Sequence, residues 1–511
     1  MIRKLVVSLT LALLVGSALG QEGRYVDPQG RYTAPIPAGW TVEATPDVAT
    51  LTRPTSSDGV IHLLAPIGEE MDVVAAALAI LVDPSLDAAF AAAPLQTAPV
   101  ALPDAVWTQR LYVVGDDLVA AISRERGGIT VLMLVQATQP AYAQGVNAAV
   151  NEILLGFEVE IAEPQAIDPA DLPYALEEIA FDAAGATLAG VLSLPETPGP
   201  HPAVALVSGS GAQDRDGANP ALPGYEPLRW LADHLTRAGF AVLRWDERGV
   251  GASTGDHANA TSADLADDLE AAVRTLAARP DVDPQRVGIL GHSEGGAIVA
   301  MVGARAPEVA FVIAMAPPAL PYTEVVVSQV ARISADSGMT SERVAEAAAQ
   351  QKQVVELALA EDWVGLESFL AETTAAQVAA LPAEARAQIA DVDAYVAQQA
   401  VAGAAAFQEP WMRFFLTYDP ADDWSRVTAP VLGVFAALDA QVDLDENLSA
   451  FEAALAAAGN DDVTVAVLPE ANHLFQRAET GALDEYLRLE MAFLSELPET
   501  LSTWLTERFG N

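Results

Sequence analysis

The sequence predicts an α/β protein: a doubly wound, mainly parallel sheet with an inserted helical lid, preceded by a separate N-terminal α+β domain. Three observations carry this. In the second half of the chain, short strand-like stretches at 202–208, an unbroken apolar run, and at 240–245, 286–290 and 309–315 alternate with helix-forming stretches, as strands covered on both faces by helices should. The alternation stops at Pro317-Pro318-Ala319-Leu320-Pro321, gives way to consecutive helix-forming segments, and resumes with the apolar run at 429–435. Ahead of residue 160, alternating strands are joined by hairpin signals at Gly115-Asp116 and Gly127-Gly128.

Taken in order, residues 1–20 read as a secretory signal peptide. Arg3 and Lys4 precede an apolar run at 5–15 that is too short to span a bilayer, and Ala18-Leu19-Gly20 places small residues before Gln21. The expectation is a secreted or periplasmic protein with no stable membrane insertion after signal removal. Residues 21–160 form the α+β domain, with strands near 50–53, 60–66, 105–114, 117–124 and 128–136 and helices at 72–81 and 141–155. It shows no catalytic pattern, and His62 reads as structural. The Pro- and Asp-rich stretch 161–175 is the linker. The doubly wound core occupies 176–320 and 426–511. It opens with strands 175–181 and 186–193 around a turn at 182–185. Helices at 228–238 and 263–278 follow, the second capped by Thr261-Ser262. The lid, 321–425, reads as helices at 323–337, 341–360, 363–372, 383–399 and 410–416. Helices at 483–494 and 498–509 close the chain.

One stretch carries chemistry. Val287-Gly288-Ile289-Leu290-Gly291-His292-Ser293-Glu294-Gly295-Gly296 runs from a strand through G-x-S-x-G into an Ala-rich helix from Ala297 to about Ala306. A serine between strand and helix must take a strained turn for its hydroxyl to project, and side chains at 291 and 295 would collide with the neighbouring strand and helix. The first N–H groups of the helix then face the serine, where they can stabilise an oxyanion.

Three further stretches join this elbow. They are Ser208-Gly209-Ser210-Gly211-Ala212-Gln213-Asp214-Arg215-Asp216-Gly217, Trp245-Asp246-Glu247-Arg248-Gly249-Val250-Gly251-Ala252-Ser253 and Ala471-Asn472-His473-Leu474-Phe475. With them, residues 176–511 resemble the α/β-hydrolase superfamily, and within it the bacterial serine carboxylesterases with a G-S-G-x-x-D-R-D oxyanion loop and a helical lid. Many of those have His-Gly where this chain has Ser208-Gly209. The Tyr32 to Trp40 opening faintly resembles PsbP-like and other small periplasmic α+β modules.

The resemblance implies the chain order nucleophile, acid, base. Of the six histidines, only His473 follows Ser293 by enough to qualify. His62, His201, His234 and His257 precede it, and His292 lies inside the elbow, turned away. The acid should end the strand at 429–435. Asp439 is the first carboxylate beyond it, with Asp443 as the alternative, although a helix-capping role suits Asp443 or Asp445 better. The implied oxyanion donors are the N–H groups of Glu294 and of Ser210 or Gly211. In the lid, Phe369, Trp411 and Phe414, with Phe415, are candidates to line an acyl pocket or only to pack lid against body. Arg248 and Asp214-Arg215-Asp216 read as an ion-pair network that shapes the oxyanion loop in preference to a substrate contact.

Composition sets the remaining bounds. A net charge of −44, from 70 acidic and 26 basic residues, argues against nucleic acid and anionic membranes as partners. There is no cysteine, hence no disulfide, no thiol chemistry and no Cys-based metal site. Neither metal nor organic cofactor is expected. The expected partner is a small-molecule ester, and homo-oligomer formation stays open. Two competing readings remain. An aminopeptidase-type hydrolase would need a lid acid patch for the substrate amine, for which Glu361, Asp362 and Glu367 are available. The other is a non-catalytic binding protein on a hydrolase fold.

Overall fold

The computed structural model describes residues 23–510 apart from 28–30, 45–47, 54–55, 67–69, 83–93, 102–105, 115–116, 127–128, 142–145, 161–166, 168–171, 219–221, 223, 382–385, 387–388, 390 and 487. The expected signal peptide, most of the linker and both hairpin turn pairs lie outside the described residues.

The first unit is built on antiparallel pairing. Strands β1 (Arg24–Val26), β2 (Tyr32–Pro35) and β10 (Glu158–Val159) make a small three-stranded sheet. A second sheet has the order β3 (Thr41–Ala44), β4 (Val48–Arg53), β5 (Ser56–Leu64), β9 (Ile129–Thr138), β8 (Asp117–Arg126), β7 (Val106–Val114) and β6 (Gln96–Ala101). Helix α1 (Glu70–Leu81) covers one face, where Val74 and Leu78 meet Leu132 and Leu134. Helix α2 (Asn147–Leu155) and the small sheet cover the other, where Val150, Ile153 and Tyr32 meet Val131, Met133 and Val135. The period of two along β9 thus feeds two separate cores. Strands β1, β2, β3, β6 and β10 escaped sequence reading because they are short or lie at sheet edges.

The second unit is an eight-stranded sheet in the order β11 (Tyr174–Ala183), β12 (Ala186–Pro195), β14 (Ala241–Trp245), β13 (His201–Val207), β15 (Val282–His292), β16 (Val312–Met315), β17 (Val431–Ala436) and β18 (Val463–Leu468). Strands β13 to β18 pair in parallel, while β11 and β12 add antiparallel pairs at one edge. Alternate residues again separate by face. Ala203, Ala205, Ile289, Val312 and Val431 point toward α4 (Ser262–Ala277), α5 (Glu294–Gly303) and α12 (Leu444–Ala457). Val204, Leu206, Leu290, Ile313 and Leu432 point toward α3 (Pro227–Arg237) and α13 (Glu496–Phe509). Helices on both faces of a mainly parallel sheet define the doubly wound arrangement.

Between β16 and β17 lies a helical insertion: α6 (Tyr322–Asp336), α7 (Ser341–Leu359), α8 (Trp363–Ala380), α9 (Val392–Ala406), α10 (Pro410–Thr417) and α11 (Pro420–Trp424). Its own core, with Leu366, Leu370, Phe407 and Phe415, reaches the body at Ala297 of α5. Among the described residues, no hydrophobic core draws on both units.

Several expected boundaries move. The helix expected at 383–399 is α9, whose start is set by the Asp391 carboxylate accepting from Ala394 N–H at 3.0 Å. The linker ends earlier, since β11 begins at Tyr174. Among the described residues of 483–494, the expected helix is reduced to a single 3-10 turn, Leu483–Glu485. Its carbonyls at Tyr486 and Glu490 accept from the Gln476 side chain, and Leu494 N–H pairs with Phe475. Tyr486, Met491 and Leu494 are all buried, so tertiary contacts outweigh the local helical pattern.

Candidate active site

Ser293 sits where the sheet places it most sharply. Strand β15 ends at His292, and α5 starts at Glu294, so the whole reversal falls on Ser293 at φ 57° and ψ −121°. Such a backbone is strained for a residue with a side chain. It persists because the neighbours approach too closely to relax. A Cβ at Gly291 would lie 2.1 Å from the Gly295 carbonyl oxygen, and one at Gly295 would lie 2.5 Å from that of Ser208. The helix begins three residues earlier than its Ala-rich stretch suggests, which puts the Glu294 N–H at its very start.

Residues far apart in sequence meet at this serine. His473 Nε2 lies 3.0 Å from Ser293 Oγ, and His473 Nδ1 lies 2.8 Å from Asp439 Oδ2. A carboxylate can only accept, so Nδ1 carries the proton and Nε2 is left free to accept from the serine. The other Asp439 oxygen accepts from the N–H groups of Gln441 and Val442, both at 2.8 Å. Asp439 and His473 are each 3% exposed. Asp443 does other work: it caps α12 by accepting from Glu446 N–H at 3.1 Å.

The loop bearing His473 is shaped by Asn472, whose Oδ1 accepts from Leu474 and Gln476 N–H groups, each at 3.0 Å. Tyr225 OH holds the Leu474 carbonyl at 2.8 Å. His292 is the supporting residue that sequence reasoning set aside. Its Nε2–H donates to the His473 carbonyl at 2.8 Å, and the two rings lie 4.8 Å apart. Burial, with His473 beside it, pushes His292 down to about 3, so it stays neutral at physiological pH. No local signal in the sequence marks a contact across 181 positions.

Ser210 and Gly211 lie in the loop after β13, and a Cβ on the adjoining Gly209 would come within 3.3 Å of the Ser293 Cβ. That loop is pinned by a buried carboxylate. Glu247 accepts from Ser208 Oγ, from Gln213 N–H at 3.1 Å and from His257 Nε2 at 2.9 Å. Glu247 in turn raises the His257 pKa. Arg215 makes a two-pronged pair with Asp246, at 2.9 and 2.8 Å, and Arg248 does the same with Asp268 at 2.8 and 2.7 Å. These ion pairs hold turns in place and do not touch Ser293.

The insertion contributes unequally. Trp411 donates from Nε1 to the Glu294 carboxyl at 2.8 Å, so it reaches the elbow. Phe414 packs on the sheet core and stacks on Tyr418, while Phe369 packs inside the insertion. Glu361 pairs with Arg413, Asp362 caps α8 through Gly365 N–H at 2.9 Å, and Glu367 is exposed. None of these bonds involves Ser293, His473 or Asp439. Among the described residues, no group of three or more His, Asp or Glu side chains could hold a metal ion, and no helix is long and apolar enough to cross a membrane.

The sheet order, the strained serine between β15 and α5 and the loops that converge on it define residues 174–509 as an α/β-hydrolase fold. The family comparison points the same way. The model of the Hydrolase_4 family, described as serine aminopeptidase S33, matches residues 225–479. The esterase EstD of Thermotoga maritima is 32% identical over 142 residues, which are 28% of this chain and 33% of that protein. The thiohydrolase apmlB of Arthrinium phaeospermum is 34% identical over 86 residues, 17% of this chain and 28% of its own. The chain thus spans about a third of the length of these curated relatives. Among solved structures, the Pyrococcus furiosus esterase Pf2001 is 17% identical with a TM-score of 0.41, covering 68% of this chain and 98% of its own.

Proposed function

We propose that the chain is a serine hydrolase that cleaves carboxylic esters of small or medium acyl groups through an acyl-enzyme. The observation that carries this reading is the line Asp439–His473–Ser293, joined at 2.8 and 3.0 Å, at a serine that opens a helix. Ser293 Oγ attacks the acyl carbonyl while His473 Nε2 takes its proton. The Asp439 carboxylate stabilises the imidazolium. The oxyanion is received by the Glu294 N–H and by that of Ser210 or Gly211. His473 then protonates the departing alcohol, and a water activated by the same nitrogen releases the acid and frees Ser293.

In this reading the helical insertion acts as a lid, with Trp411 as its contact to the elbow. Phe369 and Phe414 serve packing. The family description leaves amide or peptide bonds as a second reading. It is the weaker one, because Glu361 and Asp362 are already engaged and Glu367 is exposed. Labelling with a fluorophosphonate tests for an activated serine, and a non-catalytic binding protein would not react. A panel of p-nitrophenyl esters against aminoacyl nitroanilides separates the two hydrolases. Faster turnover of the nitroanilides would replace the esterase reading.

A further inference from the structure

The Ser210 and Gly211 N–H groups, the two candidates for the second oxyanion donor, belong to a loop that is held from both sides. Strand β13 lies between β14 and β15 in the sheet, so the loop after it, 208–213, runs between the turn after β14 and the elbow after β15. Glu247, in the turn after β14, is buried and closes the loop on itself. It accepts from the Ser208 hydroxyl at one end and from the Gln213 N–H, at 3.1 Å, at the other. On the elbow side, the Ser210 hydroxyl reaches the Glu294 carboxyl. A Cβ at Gly209 would lie 3.2 Å from the His292 carbonyl oxygen and 3.3 Å from the Ser293 Cβ, so the loop rests against the nucleophile.

The direction of those N–H groups is set by a side chain that no step above uses. Gln213 turns back over the loop, and its Nε2 donates to the carbonyls of Gly209, at 3.1 Å, and of Ser210, at 3.4 Å. Each of these carbonyls shares a planar trans peptide with the N–H of the next residue, and the two point in opposite directions across that plane. With the Gly209 and Ser210 carbonyls drawn to one amide, the Ser210 and Gly211 N–H groups both face away from it. Among the described residues, neither N–H has a hydrogen-bond partner. Two adjacent free donors turned to one side of a loop are what a developing oxyanion requires, and their worth depends on being fixed before the reaction. Without the amide, each plane is free to turn at its flanking dihedrals. Gln213 falls on an unspecified position of the G-S-G-x-x-D-R-D pattern, so the resemblance assigns it no role.

We infer that Gln213 is a positioning residue, whose side-chain amide aligns the two peptide planes that carry the Ser210 and Gly211 N–H groups for the oxyanion. This rests on the esterase reading. The test uses the full chain, with active sites counted by fluorophosphonate labelling taken to completion, and hydrolysis of p-nitrophenyl acetate and its thiono analogue. Sulfur accepts hydrogen bonds weakly, so an oxyanion site favours the oxygen ester, and that preference reports on the donors. Gln213→Met keeps the length of the side chain and removes its donor. Per active site it should lower kcat by about 10-fold or more, toward the roughly 10²–10³-fold that loss of a whole donor costs, while KM stays within about 3-fold. The preference for the oxygen ester in kcat/KM should shrink by about 10-fold as well. Gln213→Glu keeps the shape and, when ionised, has no donor, so it should give the same result and serves if Gln213→Met does not fold. Circular dichroism and thermal melts check folding. Wild-type kcat in either folded variant overturns the assignment and leaves the esterase standing. So does a loss carried by KM, or a lower kcat with the oxygen preference unchanged, since either would be a general disturbance of the site. If the wild-type serine is not labelled and no ester is cleaved, the esterase reading itself falls, and the assignment with it.

Discussion

Replacing Asp439 by Asn is the sharpest test of the proposed acid, because the geometry dictates how the amide must sit. One Asp439 oxygen accepts two buried N–H groups, from Gln441 and Val442, at 2.8 Å each. The other faces His473 Nδ1 at 2.8 Å. An Asn has one acceptor and one donor end. If the donor end faced the two N–H groups, both would lose their partner, at about 1–3 kcal/mol each. The amide therefore turns its oxygen to the backbone and its NH2 to His473. Nδ1 must then accept, the proton moves to Nε2, and the nitrogen facing Ser293 Oγ at 3.0 Å can no longer take a proton. A wrong tautomer at this position costs on the order of 10⁴ in kcat, or about 5 kcal/mol of transition-state stabilisation. Asp443→Asn should change little, since Asn caps a helix about as well as Asp and the only bond at stake runs to Glu446 N–H at 3.1 Å. Steady-state hydrolysis of p-nitrophenyl acetate, with thermal melts as a folding control, reads both. If Asp439→Asn kept a tenth of wild-type activity, or Asp443→Asn were the poorer enzyme, the assignment of the acid would be wrong.

Other outcomes follow from the same geometry. Ser293→Ala and His473→Ala should each lose roughly 10³-fold or more in kcat with the fold intact, and robust turnover in either would remove the proposed mechanism. His292→Leu removes the donor to the His473 carbonyl and should lower kcat by about 10-fold while KM holds, checked by kinetics and a melt. His292 also sets a pH dependence. Its folded pKa of about 3 lies below the ordinary 6.5, so its stability contribution is complete above 6.5 and is lost as pH falls from there toward 3. The loss is at most about 1.4 kcal/mol per pH unit. His292→Asn should flatten Tm against pH between 7 and 4, and an unchanged slope would refute the burial argument. Residues 161–511 expressed alone should fold and cleave p-nitrophenyl acetate, because among the described residues the hydrophobic cores do not cross between the units. A well-folded truncate without turnover would place the first unit in the active site.

What could be read from the sequence was what local physics determines. Strands buried on both faces, such as β17 and β13 beyond His201, are apolar and announce themselves. The cap read at Thr261-Ser262 marks the start of α4, where Thr261 is the N-cap and Asp264 completes a capping box. The stretch 483–494 misled because its apolar spacing suits a helix, yet its carbonyls are claimed by Gln476 from outside. The supports of the site were hidden for a related reason. The Glu294–Trp411, His292–His473 and Ser208–Glu247 contacts span 117, 181 and 39 positions, and no periodicity encodes a pairing of that kind.

The elbow was legible because its glycines record contacts with separate parts of the fold. Gly291 is required by the carbonyl of Gly295, Gly295 by the carbonyl of Ser208 in the loop after β13, and Gly296 by Pro317 beyond β16, whose Cα would lie 2.8 Å from an added Cβ. One local and two tertiary approaches are thus written into six consecutive letters, since only glycine tolerates any of them. A side chain that supports a site through a hydrogen bond leaves no such record. Glu247 and Glu294 are two carboxylates among 70 acidic residues, and only burial distinguishes them. The same contrast explains the strain at Ser293. The positive φ is held by backbone packing on either side of it, so the serine is positioned before any substrate arrives. The polar residues around it then need only orient His473 and the oxyanion loop, and they can do so from any position in the chain that the sheet brings near.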